Sequence, residues 1–507
     1  MAEAGAAAAR VARYGAVLLF LACEVGPNEP SRTPVPVATS ADLRDVVATL
    51  AHDSLRGRRA SSNEERLATD YVATLVGGYG LVPAAAGSFF HAVPGEWRSI
   101  DSGHLVIRED SLTLWTDFVP VLPRTSRPSL SWDAEAVYAG TFVGVAEPMP
   151  AGLDVTGKAV VMAVPAGGPV LVSLAPENPL AKAAVVLLAS AGPIGGDVVA
   201  LAQAKRMLSG AARRSVLPAP VVLMISAAVA ERLMGQPLAG MPVGQPGGRA
   251  RGDVYVFAEG APMRNVVAVL PGSDAALADE YVVLGAHLDH IGVRQGADPT
   301  DSIYNGADDN ASGSAALLML ARHFAQRPTR PRRSLAFIWF AAEELGLFGS
   351  EAFSHAPSIP LASMSAFVNL DMVSRGGAAD IAGGGPDYVQ SIGSRRRSTL
   401  LAPLVDSVAV AHGMQLDYSF DAAGHEQRVF CRSDQWNFAR FGVPVLFLTT
   451  GVHEDYHAVN DEVERSDFEK LARVTTLVGG VVDALSSRGG TLPRDLPAPD
   501  PNAACQQ

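Results

Sequence analysis

The stretch 281–290, Tyr-Val-Val-Leu-Gly-Ala-His-Leu-Asp-His, decides how this sequence is read. Its first six residues, Tyr281–Ala286, form an apolar, β-branched run long enough for a strand and too short for a helix. A strand without polar alternation is buried on both faces, which is the situation of a largely parallel sheet covered by helices. The run ends directly in His287-Leu288-Asp289-His290. In open α/β sheets ligands gather at the carboxyl ends of strands, so these polar residues fall where chemistry is expected.

The same arrangement recurs outward from this stretch. Asn265–Leu270 is a further apolar run before it. Ser334–Ala341 leads into Glu343-Glu344, Ala366–Leu370 into Asp371, and Pro444–Thr449 into the loop that carries His457. Gly306-Ala307-Asp308-Asp309 stands immediately before a helical stretch from Ser312 to Gln326. Helical periodicity also marks Ala41 to Leu81, with Leu43, Val46, Val47 and Leu50 on one face. The expected fold is α/β: a three-layer α/β/α domain with a central mixed, largely parallel sheet. That fold brings five segments remote in sequence to one sheet edge.

The residue types gathered there suit a divalent metal. Hydrolytic zinc takes His nitrogen and carboxylate oxygen and leaves a position for water. A pair of such ions needs a bridging carboxylate, terminal ligands on either side, and a further carboxylate free to act as base. Glu343-Glu344 supplies ligand and base together if the loop splays the two side chains. The cysteines do not compete: only Cys23, Cys431 and Cys505 are present, so zinc-finger spacing and a disulfide scaffold are excluded. Cys431 reads as a lone, buried small residue.

Taken singly, several of these residues have plainer readings. Asp308 suits a helix N-cap and Asp309 a metal bridge, with the reverse assignment open. His290 reads as a surface or substrate-pocket residue. Ser433-Asp434 lacks the G-x-S-x-G turn of a serine nucleophile. His453-Glu454-Asp455-Tyr456-His457 spells H-E-x-x-H, a zincin signature that works only on a helix. Here it follows an apolar strand and Thr449-Thr450-Gly451, which oppose a helix.

The segments VVLGAHLDH, GADDNASG, FAAEELGLFGS, VNLDMV and DYHAVNDEVE, in that order, resemble the M28 family of zinc aminopeptidases. The resemblance extends to the early DSLRGRR and ATDYVATLV segments. It implies two zinc ions per chain, with His287 and Asp371 as terminal ligands of one, Glu344 and His457 of the other, and Asp309 bridging them. It further implies Glu343 as general base for attack by a metal-bridging hydroxide, and Asp289 as the group holding the His287 imidazole. The activity implied is removal of N-terminal residues from a peptide or aminoacyl substrate. Carboxypeptidases, single-zinc glutaminyl cyclases and receptor-like proteins without catalysis occupy the same fold and stand as alternatives. The zincin reading of His453–His457 is the remaining one.

Composition and punctuation bound the rest. At 507 residues, 48% hydrophobic and 18% charged, the chain is globular and long enough for two domains. A net charge of −12 without clustered Lys or Arg argues against nucleic acid as a partner. Arg10 and Arg13 precede a short apolar run ending at Cys23, which reads as an export signal over 1–23, followed by a Pro-rich linker over 24–40. Cys23 is either a lipid-attachment site, the one route to membrane association, or a residue lost with the signal. The expected location is secreted, periplasmic or lipid-anchored. Residues 41–134 and 238–487 are assigned to the peptidase-like domain. Residues 135–237, with Ala159–Val164, Ala184–Leu188, Val221–Ile225 and a helix over Ala227–Met234, are assigned to a smaller inserted domain that weakly resembles a protease-associated (PA) domain. Residues 488–507 are expected to be a disordered tail.

Overall fold

A computed structural model describes residues 34–84, 87–122, 127–142, 152–166, 178–209, 220–294 and 300–507. The expected signal over 1–23, its Cys23 and the linker up to residue 33 lie outside the described residues. Two large sheets organise the rest.

The first sheet has four parallel strands at its centre, in the order Ser334–Phe340, Tyr281–His287, Met364–Leu370, Val445–Thr449. Their residues are buried almost throughout, as expected for strands without polar alternation. Antiparallel neighbours flank them: Met263–Leu270 beside Ser334–Phe340, and Tyr388–Ile392 beside Val445–Thr449. The sheet is therefore mixed, with a parallel core. Tyr388–Ile392 lies in the stretch 375–397, which carries little pattern in sequence; packing against a neighbouring strand makes it one.

Helices cover both faces. Ser40–Leu50, Asn63–Gly78, Gly313–Gln326 and Phe468–Ser487 bury their apolar sides on one face, in one cluster with Leu284, Trp339 and Leu448. The first of these begins at a reciprocal cap in which Thr39 and Asp42 bond each other's backbone N–H. Its Leu43, Val46, Val47 and Leu50 follow helical spacing into that core. Phe353 and Phe438, from the helices Phe348–His355 and Gln435–Ala439, pack on the opposite face with Phe340 and Phe367. At about 1.5–3 kcal/mol for each large side chain buried, these two faces provide most of the driving force that holds the strand ends in register.

The second sheet runs wider than the inserted segment expected over 135–237. Ala159–Val164, Val185–Ser190 and Val221–Ser226 are parallel neighbours inside it. Gly95–Ile107, Asp110–Leu112, Phe118–Val121 and Pro246–Gly260 belong to the same sheet. The long antiparallel pairing of Gly95–Ile107 with Pro246–Gly260 carries the sheet beyond both expected boundaries. Pairing partners more than a hundred residues apart leave no local boundary signal. Met207 of this sheet meets Met263, Ala341 and Ala342 of the first in a small shared cluster.

The tail departs from expectation. Cys431 is not a lone cysteine: it forms a disulfide with Cys505 across a separation of 74 residues. Closing a loop of that length removes denatured-state entropy worth on the order of 4 kcal/mol. Residues 488–507 form neither helix nor strand, and Arg440 donates from Nε to the Pro501 carbonyl at 2.7 Å. A Pro/Ala-rich composition resists helix and strand, while a covalent tie and side-chain bonds join the segment to the domain.

Candidate metal centre

The four parallel strands deliver the polar residues to one edge. His287 ends its strand, Asp371 follows Leu370, and Glu343-Glu344 follow Phe340 by a short turn. His457 lies in a turn after Val445–Thr449 rather than on a helix, with a left-handed backbone (φ 56°). The H-E-x-x-H spelling therefore has no zincin geometry: His453 points to Asp308 (3.2 Å) while His457 points to Asp309 and Glu344.

All five expected ligands come together. Asp309 reaches both ways, with Oδ1 3.2 Å from His287 Nε2 and Oδ2 3.2 Å from His457 Nε2. His287 Nε2 is also 3.3 Å from Asp371 Oδ1, and His457 Nε2 is 3.1 Å from Glu344 Oε2. Two donor groups result, His287–Asp309–Asp371 and His290–Asp309–Glu344, and they share Asp309. Asp308 is not a helix cap: its carboxylate accepts from the Ser374 N–H and hydroxyl at 2.7 and 2.8 Å. The question of which aspartate faces the centre is thereby decided in favour of Asp309.

The donor chemistry fits divalent cations. Asp289, Asp309 and Asp371 are buried, and Glu343 and Glu344 are largely so, with Arg58 as a nearby fixed cation. Carboxylates packed this densely are costly unless cations compensate them. The Glu344 Oε1 and both ring nitrogens of His290 are buried without an aligned hydrogen-bond partner, although Oε1 and Nδ1 lie 2.7 Å apart. With Asp309 these ligand atoms lie within 4.8 Å of one another, close enough to serve one ion.

Protonation follows from this crowding. Burial alone would push the His287 imidazole down, but Asp371, Glu343 and the bond to Asp309 hold it well above its ordinary range. Packing pushes the Glu343 carboxyl well up against the pull of His287, and Glu344 and Asp371 push it further. Glu344 goes the other way, to about 2: burial and Asp309 oppose ionisation, but the contacts with His290 and His457 prevail. The two adjacent glutamates are thus driven apart in proton affinity.

Asp289 has a second set of contacts beside His287. Its carboxylate accepts from the backbone N–H of Glu343 (3.0 Å) and of Glu344 (3.3 Å), which sets the turn bearing both. His287 Nδ1 lies 3.1 Å from the main-chain carbonyl of Asp289, and 3.9 Å from its carboxylate. His290, read from sequence as a surface or pocket group, is buried beneath the centre because its ring packs over Gly306. At φ 61° a side chain on Gly306 would come within 2.5 Å of that ring.

Sequence reasoning missed the supports. Arg58 is fully buried and donates to four main-chain carbonyls: Leu50 (2.5 Å), Leu288 (2.8 Å), Asn305 (2.7 Å) and Gly306 (3.0 Å). It thereby ties the His287 loop to the Asp309 loop. Burial pushes its guanidinium down to about 10, with Asp289 and Asp461 pulling it back up. Asp461 accepts from the backbone N–H of both Asp308 and Asp309 at 2.9 Å. Ser433 donates to Asp371 Oδ2 at 2.7 Å and accepts from Asn369 at 2.8 Å, so it positions a donor instead of attacking substrate. The one available signal was the DSLRGRR segment, where Gly57 adopts φ 65° and a side chain would come within 2.2 Å of the Tyr304 carbonyl.

Residues 265–482 match the model of peptidase family M28. Similar proteins include leupeptin-inactivating enzyme 1 of Streptomyces exfoliatus, 36% identical over 115 residues, covering 22% of this chain and 23% of that protein. Leucine aminopeptidase 1 of Arthroderma gypseum is 37% identical over 103 residues, covering 20% and 26%. The chain thus spans about a quarter of the length of these relatives. In fold it is similar to the aminopeptidase from Aneurinibacillus sp. strain AM-1, with a TM-score of 0.52 at 19% identity, covering 91% of this chain and 97% of that one.

Proposed function

We propose that the M28 domain of this chain is a two-metal peptidase that removes N-terminal residues from peptides. The observation that carries it is Asp309, the one carboxylate common to both donor groups. His287 and Asp371 would hold one cation, Glu344 and His457 the other, with Asp309 between them. Zinc suits this mixture of imidazole and carboxylate. When bound, the pair would supply a Lewis acid for the scissile carbonyl and a water of lowered pKa.

The chain's own residues supply the rest. Glu343 lines the pocket beside His287 and Asp371, where as a carboxylate it would accept the proton of the attacking water and return it to the leaving amine. Asp289 holds Glu343 and Glu344 apart through their backbone N–H groups. The pocket over the centre is walled by Met372, Phe420, Val429, Phe447, Val452 and Tyr456. That lining favours an apolar N-terminal side chain, in keeping with a relative named for leucine. The excess of carboxylates at its base favours a positively charged α-amino group.

The exo preference rests on the names of similar proteins and on this pocket. Purified protein should hold two zinc ions per chain, hydrolyse leucyl-4-nitroanilide, lose turnover on chelation and regain it with zinc. If zinc-replete protein cleaves neither aminoacyl anilides nor dipeptides, the proposal fails. Export belongs to the same reading: Arg10, Arg13 and the run to Cys23 suit a signal, and the Cys431–Cys505 disulfide suits an oxidising compartment. No helix of the described residues is long and apolar enough to cross a membrane. The second sheet is read as an inserted, PA-like module beside the peptidase domain.

A further inference from the structure

Two stretches of the pocket wall come from a region with little regular structure. Phe420 sits in a short turn, Ser419–Asp421, and Val429 begins another, Val429–Cys431, with Arg432 and Ser433 following it. The second turn opens at Arg428 with a left-handed backbone (φ 49°), a conformation that needs outside restraint. Residues 505–507 provide restraint to both. The Gln507 side chain donates from Nε2 to the carbonyls of Phe420 (2.8 Å) and Ala422 (3.3 Å), while its Oε1 accepts from the Phe430 N–H at 3.0 Å. Cys505 is bonded to Cys431, and its carbonyl accepts from Arg428 Nη2 at 2.6 Å.

We infer that Cys505 and Gln507 clamp the substrate pocket, fixing the gap between Phe420 and Val429 and with it the size of side chain the pocket admits. One amide bridges two wall segments by donor and acceptor at once, and the disulfide prevents the second segment from moving away. None of these atoms touches a metal donor. The clamp is a positioning element, and its effect falls on side-chain selection and not on bond cleavage. The inference rests on the aminopeptidase reading for its substrates, though not for its geometry.

Gln507→Ala and Cys505→Ser test it, the first serving if the second fails to fold. Each should lower the ratio of kcat/KM for leucyl- over alanyl-4-nitroanilide by about tenfold, the scale at which a hydrophobic pocket separates side chains. The loss should lie in KM for the leucyl substrate, with kcat and zinc content held. In substrate-free protein, hydrogen exchange at the Phe430 amide should quicken by at least about tenfold. An unchanged substrate ratio in both variants, or unchanged exchange at Phe430, overturns the clamp. If wild-type protein hydrolyses neither anilide, the aminopeptidase reading is what fails, and exchange at Phe430 alone then decides the clamp.

Discussion

The two sheets of this molecule share a device and differ in what they do with it. Both place parallel, largely apolar strands side by side: Ser334–Phe340, Tyr281–His287, Met364–Leu370 and Val445–Thr449 in one, Ala159–Val164, Val185–Ser190 and Val221–Ser226 in the other. In the first, every parallel strand ends in a buried acid or histidine, or in a loop that carries one back. In the second, the same strands end at Val164, Ser190 and Ser226, and among the described residues no metal-ligating group gathers there. A parallel sheet edge is thus an opportunity for a site; the site itself depends on which side chains follow the strands, and on buried groups that hold those loops still.

The sharpest test of that contrast is at the centre. Asp309→Asn should cost bound metal and turnover together, measured as zinc per chain and as hydrolysis. Glu343→Gln should keep the metal and the melting temperature while lowering kcat by about 10²–10⁴-fold, the usual worth of a general base. Equal metal loss in both variants would contradict the separation of ligand from base.

Next in size is Arg58→Met, which leaves four buried carbonyls without their donor. We expect a loss of about 3–5 kcal/mol by denaturant titration, because a buried charged partner is removed. Zinc affinity should fall by about 10–100-fold, as when groups behind a ligand are lost. Retained zinc affinity would make Arg58 a support of the fold alone.

A smaller effect comes from Glu65, which is buried and accepts from the Ser61 N–H at 2.6 Å. Burial, with the Asp289 charge adding to it, raises this carboxyl from 4.5 to about 8. The folded state keeps a proton that the unfolded chain releases, so the associated stability is complete below pH 4.5 and is lost as pH rises through about 8. Glu65→Gln, neutral at every pH, should match the wild type at pH 4 and exceed it well above pH 8 by on the order of 5 kcal/mol. Parallel melting curves in the two buffers check it.

The smallest expected effect is in the second sheet. Lys205 and Glu259 pair at 3.3 Å with both side chains more than half exposed. Lys205→Ala should leave both turnover and melting temperature at wild-type values, because solvent screens such pairs. A change in turnover there would show that the second sheet takes part in catalysis.

Legibility in the sequence divides along the same line. His287, Asp309, Glu343, Glu344 and Asp371 stood out because they lie at or just after an apolar run or just before a helix, and His457 because it lies in the loop after one; those patterns are local, while the separate role of each came from the family resemblance. His290 was misplaced because a histidine beside an aspartate has no local sign of burial. Arg58, Asp461 and Ser433 were not assigned as supports because their partners lie in other segments: carbonyls at 288 and 305, amides at 308 and 309, a carboxylate at 371.

By itself, then, the sequence determined the strand–helix alternation, the apolar cores of the central strands and the set of donors waiting at their ends. Burial periodicity and residue chemistry are properties of neighbours along the chain, and they survive in a string of letters. Only the tertiary structure decided that Asp309 and not Asp308 faces the centre, that Cys431 has a partner, and that the second sheet reaches from residue 95 to 260. Those outcomes depend on which remote groups come within bonding distance, and distance is set by packing.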